Sequence, residues 1–82
     1  MKAKKMFEEL GYKLKEDESF IYYKNNKLVN YHIVFSKEYE TIEITPTIDN
    51  KIHTFVRLSR KLLKAINKQI EELGWLENDN KE

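Results

Sequence analysis

The sequence predicts an α+β fold: a helix, a three- or four-stranded antiparallel meander sheet, and a second helix, with both helices on one sheet face. Three observations predict it. Apolar residues recur at helical spacing near both ends of the 82-residue chain, β-branched and aromatic residues crowd its middle, and the strand-like runs there are joined by connections of only two to four residues. A chain of this length buries only about 60–65% of its unfolded surface and supports one core. The expected organisation is therefore a single domain over residues 1–76, followed by a polar tail, "ENDNKE" over 77–82, that has nothing to bury and is expected to be disordered.

The first helix rests on Ala3, Met6, Phe7 and Leu10, which recur at i, i+3, i+4 and i+7 and share one stripe, with Lys2, Lys4, Lys5, Glu8 and Glu9 on the other side. Gly11 follows directly. Glycine enters the left-handed conformation that ends a helix without steric cost, and the resulting cap would bring Tyr12 onto Phe7. The second helix reads from Arg60 to Leu73, with Ser59 as N-cap and Leu62, Leu63, Ile66, Ile70 and Leu73 on one face. Gly74 stops it, and Trp75 stands to Ile70 as Tyr12 does to Phe7. "FEELGY" and "IEELGW" are thus one capping solution used twice, and Trp75 is expected to close the core.

Between the helices, "SFIYYK" and "KLVNYHIVFS" flank Asn25-Asn26 and read as a hairpin, which sets Tyr22 opposite Val29 and Phe20 opposite Tyr31. The run "TIEIT" pairs back through a four-residue loop, Lys37 to Glu40, with Ile42 opposite Phe35 and Ile44 opposite Ile33. This register gathers Phe20, Tyr22, Val29, Tyr31, Ile33, Phe35, Ile42 and Ile44 on the inner face. It leaves an open face of Ile21, Tyr23, Leu28, Asn30, His32 and Val34, with Thr41 and Glu43. Pro46 ends the strand or lies at an edge, because it has no N–H for a ladder. "KIHTFVRL" is a fourth strand or an extended approach to the second helix, and "KEDES" is a polar loop or a bulge.

Composition excludes several chemistries. The chain has no cysteine, so zinc ribbons, thiol nucleophiles and disulfide scaffolds are absent. His32 and His53 are the only histidines and lack metal-ligand spacing, and the two glycines cannot build a phosphate-cradling loop. Ser19, Ser36 and Ser59 lack a nucleophile context, and the acidic clusters at Glu16–Glu18 and around Glu40 read as solvated. No catalytic residue, cofactor or metal is expected. The first residues, "MKAKKMFEEL", carry charges on every turn, and no apolar stretch approaches a membrane span. A soluble protein of the cytoplasm, without membrane contact, is the expectation.

The charged residues nearly cancel, leaving +1, so electrostatic arguments must be local. From Lys51 to Ile70 there are six basic residues and no acidic one. Arg57, Arg60, Lys61, Lys64 and Lys68 form a candidate ridge for phosphates or an acidic partner, though it also reads as an ordinary solvated helix face. The open sheet face, Ile21, Tyr23, Leu28, Asn30, His32 and Val34, is the second candidate, for a protein partner or a second copy of the chain in a homodimer.

Two resemblances bear on these surfaces. Helix, three strands and helix, with Arg60, Lys61 and Lys64 opening the second helix, resembles the double-stranded-RNA-binding domain, in which lysines at that place contact phosphates. The Gly-Pro-His-type loop of that family is absent here. "MKAKKMFEELGY" and "LLKAINKQIEELGW" closely resemble the two ends of a group of small uncharacterised proteins encoded by phages and prophages of Gram-positive bacteria. That resemblance carries no catalytic residues. It implies a non-enzymatic phage accessory protein in the cytoplasm of a bacterial host cell, binding and inhibiting or modulating a host protein such as a defence-system component, a CRISPR effector among them. The alternative is a small nucleic-acid-binding domain using the basic face of the C-terminal helix.

Overall fold

A computed structural model describes residues 1–25, 29–48, 51–52 and 56–76; of Val29 it describes the backbone only. The elements are α1 (Ala3–Glu9), β1 (Lys13–Glu16), β2 (Phe20–Lys24), β3 (Val29–Ser36), β4 (Thr41–Ile48), β5 (Lys51–Ile52) and α2 (Arg60–Leu73). The strands form one antiparallel sheet in the order β1-β2-β3-β4-β5. The fold is the expected helix, meander and helix, with five strands in place of three or four. Leu28, Asn26, His53 and the tail over 77–82 lie outside the described residues.

α1 buries Ala3 and Phe7 completely, and Met6 and Leu10 pack at the margin of the core. No side chain of its own neighbourhood caps its start. Instead the Ala3 N–H donates to Glu72 Oε2 at 2.6 Å, so a carboxylate from the last turn of α2 occupies the positive end of α1. Both helices stop by the same motif. The Tyr12 N–H donates to the Phe7 carbonyl (3.0 Å) and the Gly11 N–H to that of Glu8 (3.0 Å), while Trp75 and Gly74 donate to Ile70 and Glu71 at 3.4 and 3.0 Å. Gly11 and Gly74 take φ of 90° and 73°, the left-handed values this cap requires.

The register of β2 differs from the expectation. Ile21 pairs with Phe35, Tyr22 with Val34 and Tyr23 with Ile33, a shift of five residues from the two-residue turn at Asn25-Asn26. Five is odd, so every side chain of β2 changes face. Ile21 and Tyr23 enter the core, and Phe20 and Tyr22 go to the other side. Two physical causes act. "FIYYK" offers apolar residues at both parities, so its alternation does not choose a face. β1, unrecognised in "KLKE" because only Leu14 is apolar, then pairs Leu14 with Tyr23 and adds that residue to the inner set.

β3 and β4 pair as expected, Phe35 with Ile42 and Ile33 with Ile44, across the loop Lys37 to Glu40. Glu40 closes it with φ 54°, and the Tyr39 N–H donates to Ser36 Oγ at 3.3 Å. Pro46 lies within β4, opposite Tyr31, and does not end it. Among the described residues β5 pairs only with Thr47 and Ile48, so Pro46, which has no N–H to give, meets a ladder partner on the β3 side alone.

Both helices cover the same sheet face. The core joins Phe7, Tyr12, Ile21, Tyr23, Ile33, Phe35, Leu62, Ala65 and Ile66. Phe7 and Tyr23 stack at 3.7 Å, and Phe35 stands edge-on to both, at 6.4 and 6.2 Å. Trp75 leans on Phe35 at 6.1 Å and closes the core at its edge, as its place after Gly74 predicts. The buried face of α2 is rotated from the expected one: Ala65 and Gln69 are inside, and Leu63 is 46% exposed. Gln69 is inside because the buried Tyr23 hydroxyl needs an acceptor, and donates to Gln69 Oε1 at 2.7 Å.

Candidate binding surfaces

The face of the sheet away from the helices carries the first candidate surface. With the β2 register as found, it is not the expected one. Ile21 and Tyr23 are 5% and 1% exposed and belong to the core. Asn30 is buried, and accepts from the Thr47 hydroxyl at its Oδ1 (2.7 Å). His32 and Val34 do lie on this face, half-buried.

What replaces the lost residues follows from the strand pairing, since directly opposite residues share a face. One row across the sheet is Lys15, Tyr22, Val34, Glu43, and the next is Lys13, Lys24, His32, Thr45. Phe20, 44% exposed, extends the apolar part along β2. A shallow depression of about 380 Å³ runs among Lys15, Glu16, Asp17, Phe20, Tyr22 and Val34. The surface therefore has an aromatic and aliphatic centre, three lysines on its β1–β2 side and a carboxylate on β4.

Local contacts hold these groups in place. The Tyr22 hydroxyl and His32 Nδ1 share a hydrogen bond of 3.0 Å, and their rings meet edge to face at 5.9 Å. Burial, assisted by Lys24, holds the His32 imidazole below its ordinary pKa. The turn between β1 and β2 is built on Asp17, whose Oδ1 accepts from the N–H groups of Ser19 and Phe20, both at 2.8 Å. Those two bonds hold its carboxyl below the usual range. Lys37 Nζ ties the turn down through Glu16 Oε2 and the Asp17 carbonyl, each at 2.8 Å.

The second surface is α2 itself. Arg57, Arg60, Lys61 and Lys64 are exposed, and Lys68 is half-buried and paired with Glu71 at 3.2 Å. Arg60, Lys61, Lys64 and Lys68 lie on α2 on the side away from Leu62, Ala65, Ile66 and Gln69, while Arg57 precedes the helix and lines a separate depression with Tyr12, Tyr31 and Leu62. Ser59 caps the helix, its Oγ accepting from the Leu62 N–H at 3.1 Å. No acidic residue sits in the first turn to balance Arg60 and Lys61 against the helix dipole, which costs about 0.3–1 kcal/mol for each. Arg57 is fixed by its backbone: its N–H donates to the Tyr31 hydroxyl at 2.8 Å, and that hydroxyl donates to its carbonyl.

Sequence reasoning missed what borders this ridge. Between α1 and α2 lies a depression of about 260 Å³ lined by Met1, Met6, Glu9, Leu10, Lys61 and Lys64. Its apolar wall comes from one helix and its cationic rim from the other, a juxtaposition that depends on helix packing and has no local signal. Among the described residues no three His, Asp or Glu side chains are grouped to hold a metal ion, and no helix is long and apolar enough to cross a membrane. The five-stranded meander, with β1 at one edge and β5 at the other, departs from the helix–three strands–helix order of the double-stranded-RNA-binding domain. No protein-family model, no curated protein and no solved structure matches the chain.

Proposed function

We propose that this chain is a non-enzymatic accessory protein of a phage or prophage, which acts in the host cytoplasm by binding a host protein. The surface that meets the partner is the α2 ridge together with the groove beside it. The partner presents carboxylates to Arg60, Lys61 and Lys64 and an apolar side chain to Met6 and Leu10. A component of a host defence system, whose action the bound protein inhibits or modulates, is the class suggested by the resemblance of the two chain ends to phage-encoded proteins.

The observation that carries this reading is the adjacency of the cationic ridge and the methionine-lined groove. Protein interfaces combine an apolar, well-packed centre with a charged rim, and methionine adapts its shape to a partner side chain at little cost. A nucleic-acid backbone would use the ridge and have no need of the groove. With a net charge of only +1, the chain also lacks the general field that draws proteins to polyanions.

The test is affinity capture from host lysate, with and without nuclease, using wild type and the Lys61→Glu/Lys64→Glu variant. The account expects one partner retained by the wild type after nuclease treatment and lost by the variant, whose circular dichroism is unchanged. Capture that vanishes with nuclease, and binding to duplex RNA or DNA that weakens with salt by several log units per log unit, would assign the ridge to nucleic acid instead. Equal capture by both proteins would remove the ridge from the account.

A further inference from the structure

The sheet face away from the helices, uncovered among the described residues, is separate from the α2 ridge and has its own chemistry. Its central row reads Lys15, Tyr22, Val34, Glu43 across β1 to β4. Adjacent strands lie about 4.8 Å apart, so Lys15 and Glu43 stand at equal distances on either side of the midpoint between Tyr22 and Val34. The row is thus antisymmetric in charge about an apolar centre. Lys15 and Glu43 are both exposed, and neither makes an ion pair among the described residues.

We infer that a second copy of this chain docks on this face, in a two-fold pairing that sets Lys15 of one protomer against the partner's Glu43. Rotation by 180° about an axis parallel to the strands, above the midpoint of the row and halfway between the two sheets, exchanges its two ends. Two equivalent ion pairs form, Lys15 to Glu43 in each direction, and Tyr22 packs on the partner's Val34. The same operation sets Phe20 beside the partner's Ser36 and Lys24 beside the partner's His32. Every contact occurs twice, as an isologous interface requires.

Charge selects this occupant over others. A polyanion laid on the face would meet Lys13, Lys15 and Lys24 but also Glu43 and the Asp17 carboxylate of the β1–β2 turn, both of which repel it. A membrane surface fails for the same reason. A copy of the chain carries opposite charges at the matching spacing. Its net charge of +1 opposes association only weakly. The apolar centre, with Phe20 at 44% exposure and Tyr22 and Val34 half-buried, is what two sheets packed face to face about 10 Å apart bury between them.

Sedimentation equilibrium from low micromolar to about millimolar protein tests the inference, with charge swaps as the decisive arm. The wild type is expected to double its mass with rising concentration. Lys15→Glu alone and Glu43→Lys alone each weaken the dimer roughly tenfold or more, because each places like charges together at both ends of the row. The doubly substituted chain, Lys15→Glu/Glu43→Lys, restores the opposite pairing and recovers dimerisation to within about threefold of wild type. Both positions are exposed, so the monomer's folding is little affected, and circular dichroism checks it. A wild type that stays monomeric throughout, single variants that dimerise as wild type does, or a double variant that fails to recover would each overturn the inference. So would self-association that survives these changes and is lost in Lys61→Glu/Lys64→Glu, which would place it on the ridge.

Discussion

Tyr12 and Tyr23 show how single side chains tie the core to solution conditions. Burial pushes both phenols up to about 12, with Tyr31 adding to the shift at Tyr12, and Glu72, Glu16 and Glu8 at Tyr23. A group that holds its proton more tightly when folded stabilises the fold fully below its unfolded pKa, about 10 for tyrosine. That contribution is lost as pH rises from about 10 toward 12, where the unfolded chain ionises first. We therefore expect the midpoint of urea unfolding to hold steady up to pH 9 and to fall steadily between about pH 10 and 12. In a tyrosinate absorbance titration, two of the five tyrosines should ionise only together with unfolding; five phenols titrating together near 10 in the folded protein would contradict this. None of this was legible in "FIYYK", where Tyr22 and Tyr23 are adjacent and alike. Their difference comes from the register of β2, which stacks Tyr23 on Phe7 in the core and brings its hydroxyl to Gln69, 46 residues away in sequence.

At the scale of elements, the helices were the legible part, because their signals are local. Ser59 before an apolar run marks the start of α2, and Gly11 and Gly74 mark both ends, each of which the structure reproduces. β3 and β4 were legible for a similar reason, since a four-residue loop and strict alternation specify their register. β1 and the register of β2 were not. "KLKE" becomes a strand only through its neighbour, and "FIYYK" is turned by the company of Leu14, Ile33 and Phe35 rather than by its own pattern. The start of α1 was equally hidden, since its cap is Glu72 of the other helix. Glu72→Ala should cost about 1 kcal/mol, as other N-cap losses do, and should speed amide exchange in the first turn of α1 more than in α2. Equal effects on both helices would mean that the carboxylate acts in some way other than as a cap.

For the whole molecule, one decision inside β2 determines what the outer face of the sheet can touch. With Ile21 and Tyr23 inward, Tyr23 stacks on Phe7, and the outer face becomes the row from Lys15 to Glu43 with Phe20 alongside. With the opposite parity, the face expected from sequence would return, and the antisymmetric row would lose its aromatic member. The basic side chains of α2 are indifferent to this choice, because their positions follow from the helix alone, whereas the make-up of the sheet face depends on it. The absence of native cysteine makes the choice directly measurable, through four single variants, Phe20→Cys, Ile21→Cys, Tyr22→Cys and Tyr23→Cys, reacted with a thiol reagent in native buffer at low protein concentration. Prompt reaction at positions 20 and 22, with positions 21 and 23 protected until denaturant is added, is the result expected from this fold. Protection at 20 and 22 with prompt reaction at 21 and 23 would contradict it.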